Sequence, residues 1–378
     1  MNEINNISVI GVGKLGLCFS LTLEKAGYSV IGVDVRPEYV EKINSKNLES
    51  SEPGVVEALR NSVNFYATTS LEEALEHSDV LFVIVATPSL EDGRYDHSQV
   101  DGVIDSIVKI SERKIIKQTK HLVICCTVMP KYNDSVARRL QGLNFTVSYN
   151  PEFIAQGSIM RDQEKPDIVL IGEGSKQAGD ILEEIYRKHT SNNPKICRMS
   201  PLEAEITKIS LNCFLTTKIA FANMVGDIAI ASGTYPDRIL EAIGSDTRVG
   251  PKYLKYGYGF GGPCFPRDNK AFGIYASDVG SPAEISKATD LSNKLHLFEQ
   301  VKLFDDKHKN NKSVTYTMSG VSYKKDSTIL EESQQLKYAL EIAKLGYSIC
   351  IEDCEQVIEE VKKMYGNMFV YKTTENIK

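Results

Sequence analysis

The chain has 378 residues, 42% of them hydrophobic and 25% charged, with a formal net charge of −6. That composition is that of an ordinary globular protein of two or three domains. With both charge signs interspersed and no long Lys/Arg run, it argues against nucleic acid or a membrane as partner. Met1 to Asn6 shows no basic stretch followed by an apolar one, so no secretory leader is expected. No apolar run is expected to reach the length that spans a bilayer. The eight cysteines are Cys18, Cys125, Cys126, Cys197, Cys213, Cys264, Cys350 and Cys354, with no C-x-x-C pair among them. Reduced thiols, a cytoplasmic location and no metal site are the expectation.

Ile7 to Ile10 reads as a short strand and runs straight into Gly11-Val12-Gly13-Lys14-Leu15-Gly16. Leu17 to Ala26 reads as a helix stopped by Gly27, and Tyr28 to Val33 as a second strand ending on Asp34. Strand, G-x-G-x-x-G, helix, strand and acid together are the fingerprint of a dinucleotide-binding turn. Gly11 permits the tight turn, Gly13 the approach of the pyrophosphate and Gly16 close packing of helix on strand. Asp34 is suited to the ribose hydroxyls, which favours NAD over NADP, although Arg36 stands close by. Val80 to Ala86 and His121 to Cys126 are further strands, ending at Thr87 and Thr127, and Val147 to Tyr149 leads into Asn150-Pro151-Glu152-Phe153. Strand C-termini in a doubly wound sheet face the cofactor crevice, so Thr87, Thr127 and Glu152 are candidates there. A threonine at a strand end is equally well a simple cap.

Ser200-Pro201-Leu202-Glu203 is a capping box that opens a helix running unbroken to Ser232, before Gly233. Lys208 and Asn212 lie four apart on it and share a face. Residues 233–300 read as mostly helical, interrupted by Gly257-Tyr258-Gly259-Phe260-Gly261-Gly262-Pro263-Cys264-Phe265-Pro266-Arg267-Asp268. Cys264 in that frame is either a positioned nucleophile or an inert thiol in a Gly/Pro loop. Asp305 to Lys312 reads as a linker or exposed turn. Strands at Ser313 to Met318, Tyr347 to Glu352 and Met368 to Tyr371, with helices at Gln334 to Lys344 and Glu355 to Met364, make a second, smaller α/β unit. The fold class is therefore α/β: a Rossmann-type doubly wound sheet, a long central helix and a smaller Rossmann-like unit. The expected domains are 1–199, 200–300 and 301–378.

These motifs, in this order, resemble the UDP-glucose/GDP-mannose dehydrogenase family over nearly the whole chain. Glu52-Pro53-Gly54, Thr87-Pro88, Thr127-Val128, Ala204-Glu205-x-x-Lys208-x-x-x-Asn212 and Gly259-Phe260-Gly261-Gly262-x-Cys264-x-x-x-Asp268 match its landmarks. The resemblance implies a four-electron oxidation of a nucleotide sugar's primary alcohol to a carboxylate, with NAD as cofactor. It implies Cys264 as nucleophile, Lys208 and Asn212 as oxyanion stabilisers, and Glu152, Thr127 and Asp268 as the groups that position and activate water. It implies cofactor contacts from Gly11, Val12, Gly13, Lys14, Leu15, Gly16, Asp34, Thr87, Thr127 and Arg267. Substrate contacts are implied for Glu152, Phe153, Gln156, Lys208, Asn212, Arg248, Tyr256, Tyr258, Gly259, Gly261 and Lys324. A homodimer through the long helix is implied as well, with Arg248 reaching a neighbouring subunit's sugar nucleotide.

Three departures accompany the resemblance. Gln156 stands where the family usually has Glu, Glu331 where it has an arginine, and the last α/β unit is expected to be shorter than in relatives. The resemblance implies UDP-glucose as the leading substrate and a uronic acid for surface polysaccharide as the product. GDP-mannose or a UDP-N-acetylhexosamine is the rival substrate. An NAD-binding or regulatory homologue with impaired turnover is the reading from another class.

Overall fold

The computed structural model describes residues 4–154, 157–325 and 327–374. Contacts divide the chain into two units, 1–208 and 209–378. In the first, eight strands form one sheet: β1 (Asn6–Ile10), β2 (Ser29–Val33), β3 (Phe65–Thr68), β4 (Val80–Val83), β5 (Lys120–Ile124), β6 (Phe145–Tyr149), β7 (Ile168–Gly172) and β8 (Lys195–Met199). Their order is β3-β2-β1-β4-β5-β6-β7-β8. All neighbours are parallel except β6 and β7, which meet antiparallel at Tyr149 and Gly172. The order reverses between β1 and β4, the switch point at which such sheets bind ligands.

Helices cover both faces: α1 (Lys14–Lys25), α2 (Pro37–Asn44), α3 (Val55–Asn61), α4 (Leu71–His77), α5 (Ser98–Arg113), α6 (Tyr132–Arg139), α7 (Ile159–Glu164) and α8 (Lys176–His189). Strand alternation distributes the apolar side chains between them. Ile7 and Val9 enter one core with Leu17, Leu21 and Ile185, and Ile10 enters the other with Ile104 and Leu122. Ser8, turned to that second face, donates to the Ala74 carbonyl at 2.8 Å. β4 repeats the pattern, with Val80 and Phe82 on one side, Leu81 and Val83 on the other. β4 is shorter than the apolar run Val80 to Ala86 suggests. Ile84 N still bonds to Ile10 O at 2.8 Å, but Val85 N turns to the Cys126 thiol at 3.3 Å and leaves the ladder.

Helix α9 (Pro201–Ala231) opens on the expected box. Ser200 N and Oγ donate to Glu203 Oε2 at 2.8 and 2.7 Å. Gly233 follows it with φ +76°. By length and composition α9 is long and apolar enough to cross a membrane, which corrects the expectation that no run reaches that length. Between Lys208 and Asp227 its only charge is Lys218. Three of its polar groups there bond within the protein: Thr216 and Thr217 donate to Cys213 O, and Lys218 donates to Val249 O at 3.0 Å.

The second unit adds α10 (Pro236–Ser245), α11 (Phe265–Asp278) and α12 (Glu284–His308). It closes with β9 (Thr315–Ser319), α13 (Gln334–Lys344), β10 (Ser348–Asp353), α14 (Glu355–Tyr365) and β11 (Val370–Thr373). The three strands form a parallel sheet in the order β11-β10-β9. Leu336, Ile342, Ile349, Ile351, Ile358 and Val361 make its core. The charged segment after Leu303 is not all linker. Asp305 to His308 continue α12, because Phe304 packs edge-on against Tyr347 and Tyr316, and Asp305 accepts from Tyr347 Oη at 2.6 Å.

Candidate active site

The glycine turn sits at the switch point. Gly11 has φ +94°, and its N–H and that of Val12 share the Val33 carbonyl at 2.8 and 3.2 Å. A Cβ at Gly11 would strike the backbone of Ile84, and one at Gly16 would strike the Gly11 carbonyl. A Cβ at Gly13 would meet nothing within 4 Å, so the turn is open where a pyrophosphate has to approach the first turn of α1. Val12 is buried beneath it, Leu15 is half-buried and Lys14 is exposed. The turn therefore fits a dinucleotide.

Asp34 follows β2, as expected, but its carboxylate is engaged. It accepts from Arg36 Nε at 2.8 Å and Arg36 NH2 at 2.9 Å, while that guanidinium lies 4.1 Å from the centre of the Tyr39 ring. Burial pushes the Asp34 carboxyl up, and the Arg36 bonds outweigh it and hold it below the usual range. Thr87 and Thr127, beyond β4 and β5, are brought together by a bond from Thr87 Oγ1 to Thr127 O at 2.8 Å.

Glu152 and Lys208 are also brought together. Lys208 Nζ donates to the Glu152 backbone carbonyl at 2.7 Å and lies 4.4 Å from the centre of the Phe153 ring. The Glu152 carboxylate accepts from Gln163 Nε2 at 3.0 and 3.2 Å. Burial raises its pKa from 4.5 to about 7, against the opposing effects of the Gln163 bond and the Lys208 charge. Such a carboxyl is poised to exchange a proton at neutral pH. Gln156 lies outside the described residues. Glu205 belongs to the same helix motif but serves the fold. Buried, it accepts from Lys131 N, Asn133 N and Asn133 Nδ2 at 2.6 to 2.8 Å and caps the start of α6.

In the second unit Cys264 is the residue preceding α11, and it is the one exposed cysteine of the eight. The other reading, an inert buried thiol, does not fit that exposure. One turn on, Asp268 N bonds to Cys264 O at 2.8 Å, and the Asp268 carboxylate accepts from Asn212 Nδ2 at 2.6 Å, with Arg267 Nε 3.6 Å away. Gly262 has φ +81°, and a Cβ there would collide with the Tyr323 ring. Lys324, beside that tyrosine, is half-buried. Glu331 is exposed.

The loop before Cys264 is held by side chains that no sequence motif singles out. Asn293 pairs with the Phe260 peptide, accepting from its N–H at 2.8 Å and donating to its carbonyl at 3.0 Å. The same amide fills the space where a Cβ on Gly259 would go. Gly257 O receives His296 Nε2 at 2.7 Å and Gln300 Nε2 at 3.1 Å, and Gly257 N donates to Asn223 Oδ1 at 3.0 Å. Asp227 accepts from Tyr256 Oη at 3.1 Å and faces His296 Nδ1 at 2.7 Å. A signal was available: Asn293, His296 and Gln300 recur at i, i+3 and i+7 of α12, a polar stripe on one face. Gln163 carries no such periodicity. Tyr258 packs edge-on against Tyr338 at 5.8 Å, Gly261 closes on the Glu332 backbone, and Arg248 is 87% exposed and paired with Asp246 at 2.7 Å.

Comparison with known proteins adds to this geometry. Residues 5–190 match the NAD binding domain of the UDP-glucose/GDP-mannose dehydrogenase family, and residues 202–295 match its central domain. The chain is 31% identical to UDP-glucose 6-dehydrogenase of Pseudomonas aeruginosa over 87% of its own length and 74% of that protein's. It is 32% identical to GDP-mannose 6-dehydrogenase of the same organism, over 92% and 80%. The solved UDP-glucose dehydrogenase of Pyrobaculum islandicum superposes with a TM-score of 0.88 at 30% identity, covering 98% of this chain and 87% of that one.

Proposed function

The chain belongs to the UDP-glucose/GDP-mannose dehydrogenase family, whose cofactor is NAD, and we propose that it oxidises C6 of UDP-glucose to the uronic acid. The observation that carries this reading is Cys264: exposed at the N-terminus of α11, with Asp268 one turn further on and bonded to Asn212. Amides at a helix N-terminus favour negative charge, which suits a thiolate nucleophile.

NAD, when bound, supplies the acceptor for a hydride in each of two oxidations, one cofactor per step. The first oxidation turns the hydroxymethyl into an aldehyde, and Cys264 Sγ then forms a C–S bond to that carbon. Lys208 and Asn212 donate to the oxygen as it gains charge. The second oxidation leaves a thioester on Cys264. Glu152 removes a proton from water, with Thr127 and Asp268 orienting it, and the attack breaks the C–S bond, returns the thiol and leaves a carboxylate. Gly11, Val12, Gly13, Lys14, Leu15, Gly16, Asp34, Thr87 and Arg267 hold the cofactor. Phe153, Arg248, Tyr256, Tyr258, Gly259, Gly261 and Lys324 hold the nucleotide sugar.

The likeness to the Pyrobaculum islandicum enzyme supports UDP-glucose. GDP-mannose is the second reading, favoured by the likeness to the Pseudomonas aeruginosa GDP-mannose enzyme. Phe214, Phe221, Met224 and Ile228 leave an apolar stripe exposed on α9, which supports a homodimer formed through that helix. The product serves as a polysaccharide precursor made in the cytoplasm. The test is NADH formation at 340 nm with a panel of UDP-, GDP- and dTDP-sugars. UDP-glucose is expected to give two NADH per sugar; NAD binding without turnover on any sugar would favour a regulatory homologue instead.

A further inference from the structure

Behind Glu152 lies a partly open chamber of about 30 Å³ lined by Phe19, Asn150, Glu152, Gln163, Tyr186 and His189, among others. That volume holds one or two waters if polar groups receive them; an apolar cavity of this size stays dry. Here two groups do. Gln163 Oε1 and His189 Nδ1, on residues 4% and 6% exposed, have no hydrogen-bond partner among the described residues.

The chemistry of both atoms is fixed by what their other ends do. Gln163 Nε2 points at the Glu152 carboxylate, so Oε1 is the atom left over, and it can only accept. Thr22 Oγ1 gives its proton to Phe19 O at 3.0 Å, so it accepts from His189 Nε2 at 2.9 Å. The His189 proton is therefore on Nε2, and Nδ1 is a bare lone pair. Burial supports the neutral ring, lowering the His189 pKa from 6.5 to about 4. The Tyr186 hydroxyl is spent on Asn150 Oδ1 at 2.6 Å. Two buried acceptors with no donor are what the O–H groups of water satisfy.

We propose that this chamber is a water site, in which ordered water donates to Gln163 Oε1 and His189 Nδ1 and so locks the Gln163 amide onto the Glu152 carboxylate. Gln163 and His189 are then positioning residues for the water-consuming step. This rests on the reading that Glu152 activates water. The titratable groups that face Glu152 come from five elements: Cys18 on α1, Cys125 beyond β5, Asp162 on α7, Tyr186 and His189 on α8, and Lys208 on α9. Against that background the Gln163 donor favours the ionised carboxylate, and the water keeps the donor in place.

Two experiments test it on the intact protein. A crystal structure resolving ordered solvent is expected to show density about 3 Å from both Gln163 Oε1 and His189 Nδ1. A dry chamber overturns the proposal. In kinetics, kcat rises with pH as Glu152 ionises; Gln163→Leu, which removes the donor, is expected to move that limb up by about one pH unit. His189→Phe, which fills the chamber, moves it the same way, and His189→Asn, which keeps an acceptor, moves it less. KM for NAD and for the sugar stays near wild type in all three. Unmoved limbs in folded variants overturn the proposal, and if Gln163→Leu does not fold, the two His189 variants decide. Glu152→Gln separates the two readings: full turnover in that variant removes Glu152 from water activation itself. An inactive Glu152→Gln with unmoved limbs in the others removes only the chamber.

Discussion

The glycine turn and the cysteine loop do comparable work by different means. The turn after β1 is shaped by backbone: Gly11 and Val12 hang on the Val33 carbonyl, and Ile84 is tied to Ile10 across the sheet. The loop before Cys264 is shaped by side chains: Asn223, Asn293, His296 and Gln300 each hold a main-chain group of Gly257, Tyr258 or Phe260. A backbone frame survives most side-chain replacements as long as its glycines stay. A loop pinned by amides is only as well placed as each amide, since a buried peptide group that loses its partner costs about 1–3 kcal/mol.

Three substitutions test that contrast. Cys264→Ala is expected to have the largest effect, a loss of turnover of about a thousandfold or more with NAD affinity retained, read as NADH per sugar and by NAD titration. A variant that still forms two NADH per sugar removes the thiol from the chemistry. Asp34→Ala is next: it deletes the carboxylate proposed to accept from the ribose and is expected to weaken NAD binding by about 10- to 100-fold, with the sugar's affinity unchanged. Asn293→Leu is the smallest of the three. It leaves the Phe260 peptide unpaired, and the sugar KM is expected to rise by about tenfold while NAD affinity holds. If Asn293→Leu weakens NAD as much as sugar, the two supports are not independent and the contrast fails.

The same contrast explains what could be read from the amino-acid order. Gly11, Gly13, Gly16 and Asp34 were legible because glycine spacing and apolar runs report on backbone geometry. The Ser200 and Glu203 box and the Gly233 stop were legible for the same reason, and so was the helix Gln334–Lys344. β7 was missed, although Ile168-Val169-Leu170-Ile171 is an apolar run; β8 is mixed in character, and its five residues lack a clean alternation. The antiparallel joint between β6 and β7 has no local signature at all, since pairing direction depends on the connection and not on the strand. Gln163 and Asn293 were invisible individually, because an amide in a helix looks the same whether it meets solvent or a buried partner. Arg36 stood out by its nearness to Asp34, but nothing in the order of residues says that it grips that carboxylate through two nitrogens.

Of the eight sulfhydryls, five are buried, Cys197 and Cys354 are half-covered, and Cys264 alone is exposed. That distribution makes a soft electrophile such as iodoacetamide a site-directed reagent without any design. The first equivalent consumed is expected to mark the sulfur at the head of α11, and on the proposed reading protection from alkylation by a nucleotide sugar gauges occupancy, independent of any hydride transfer.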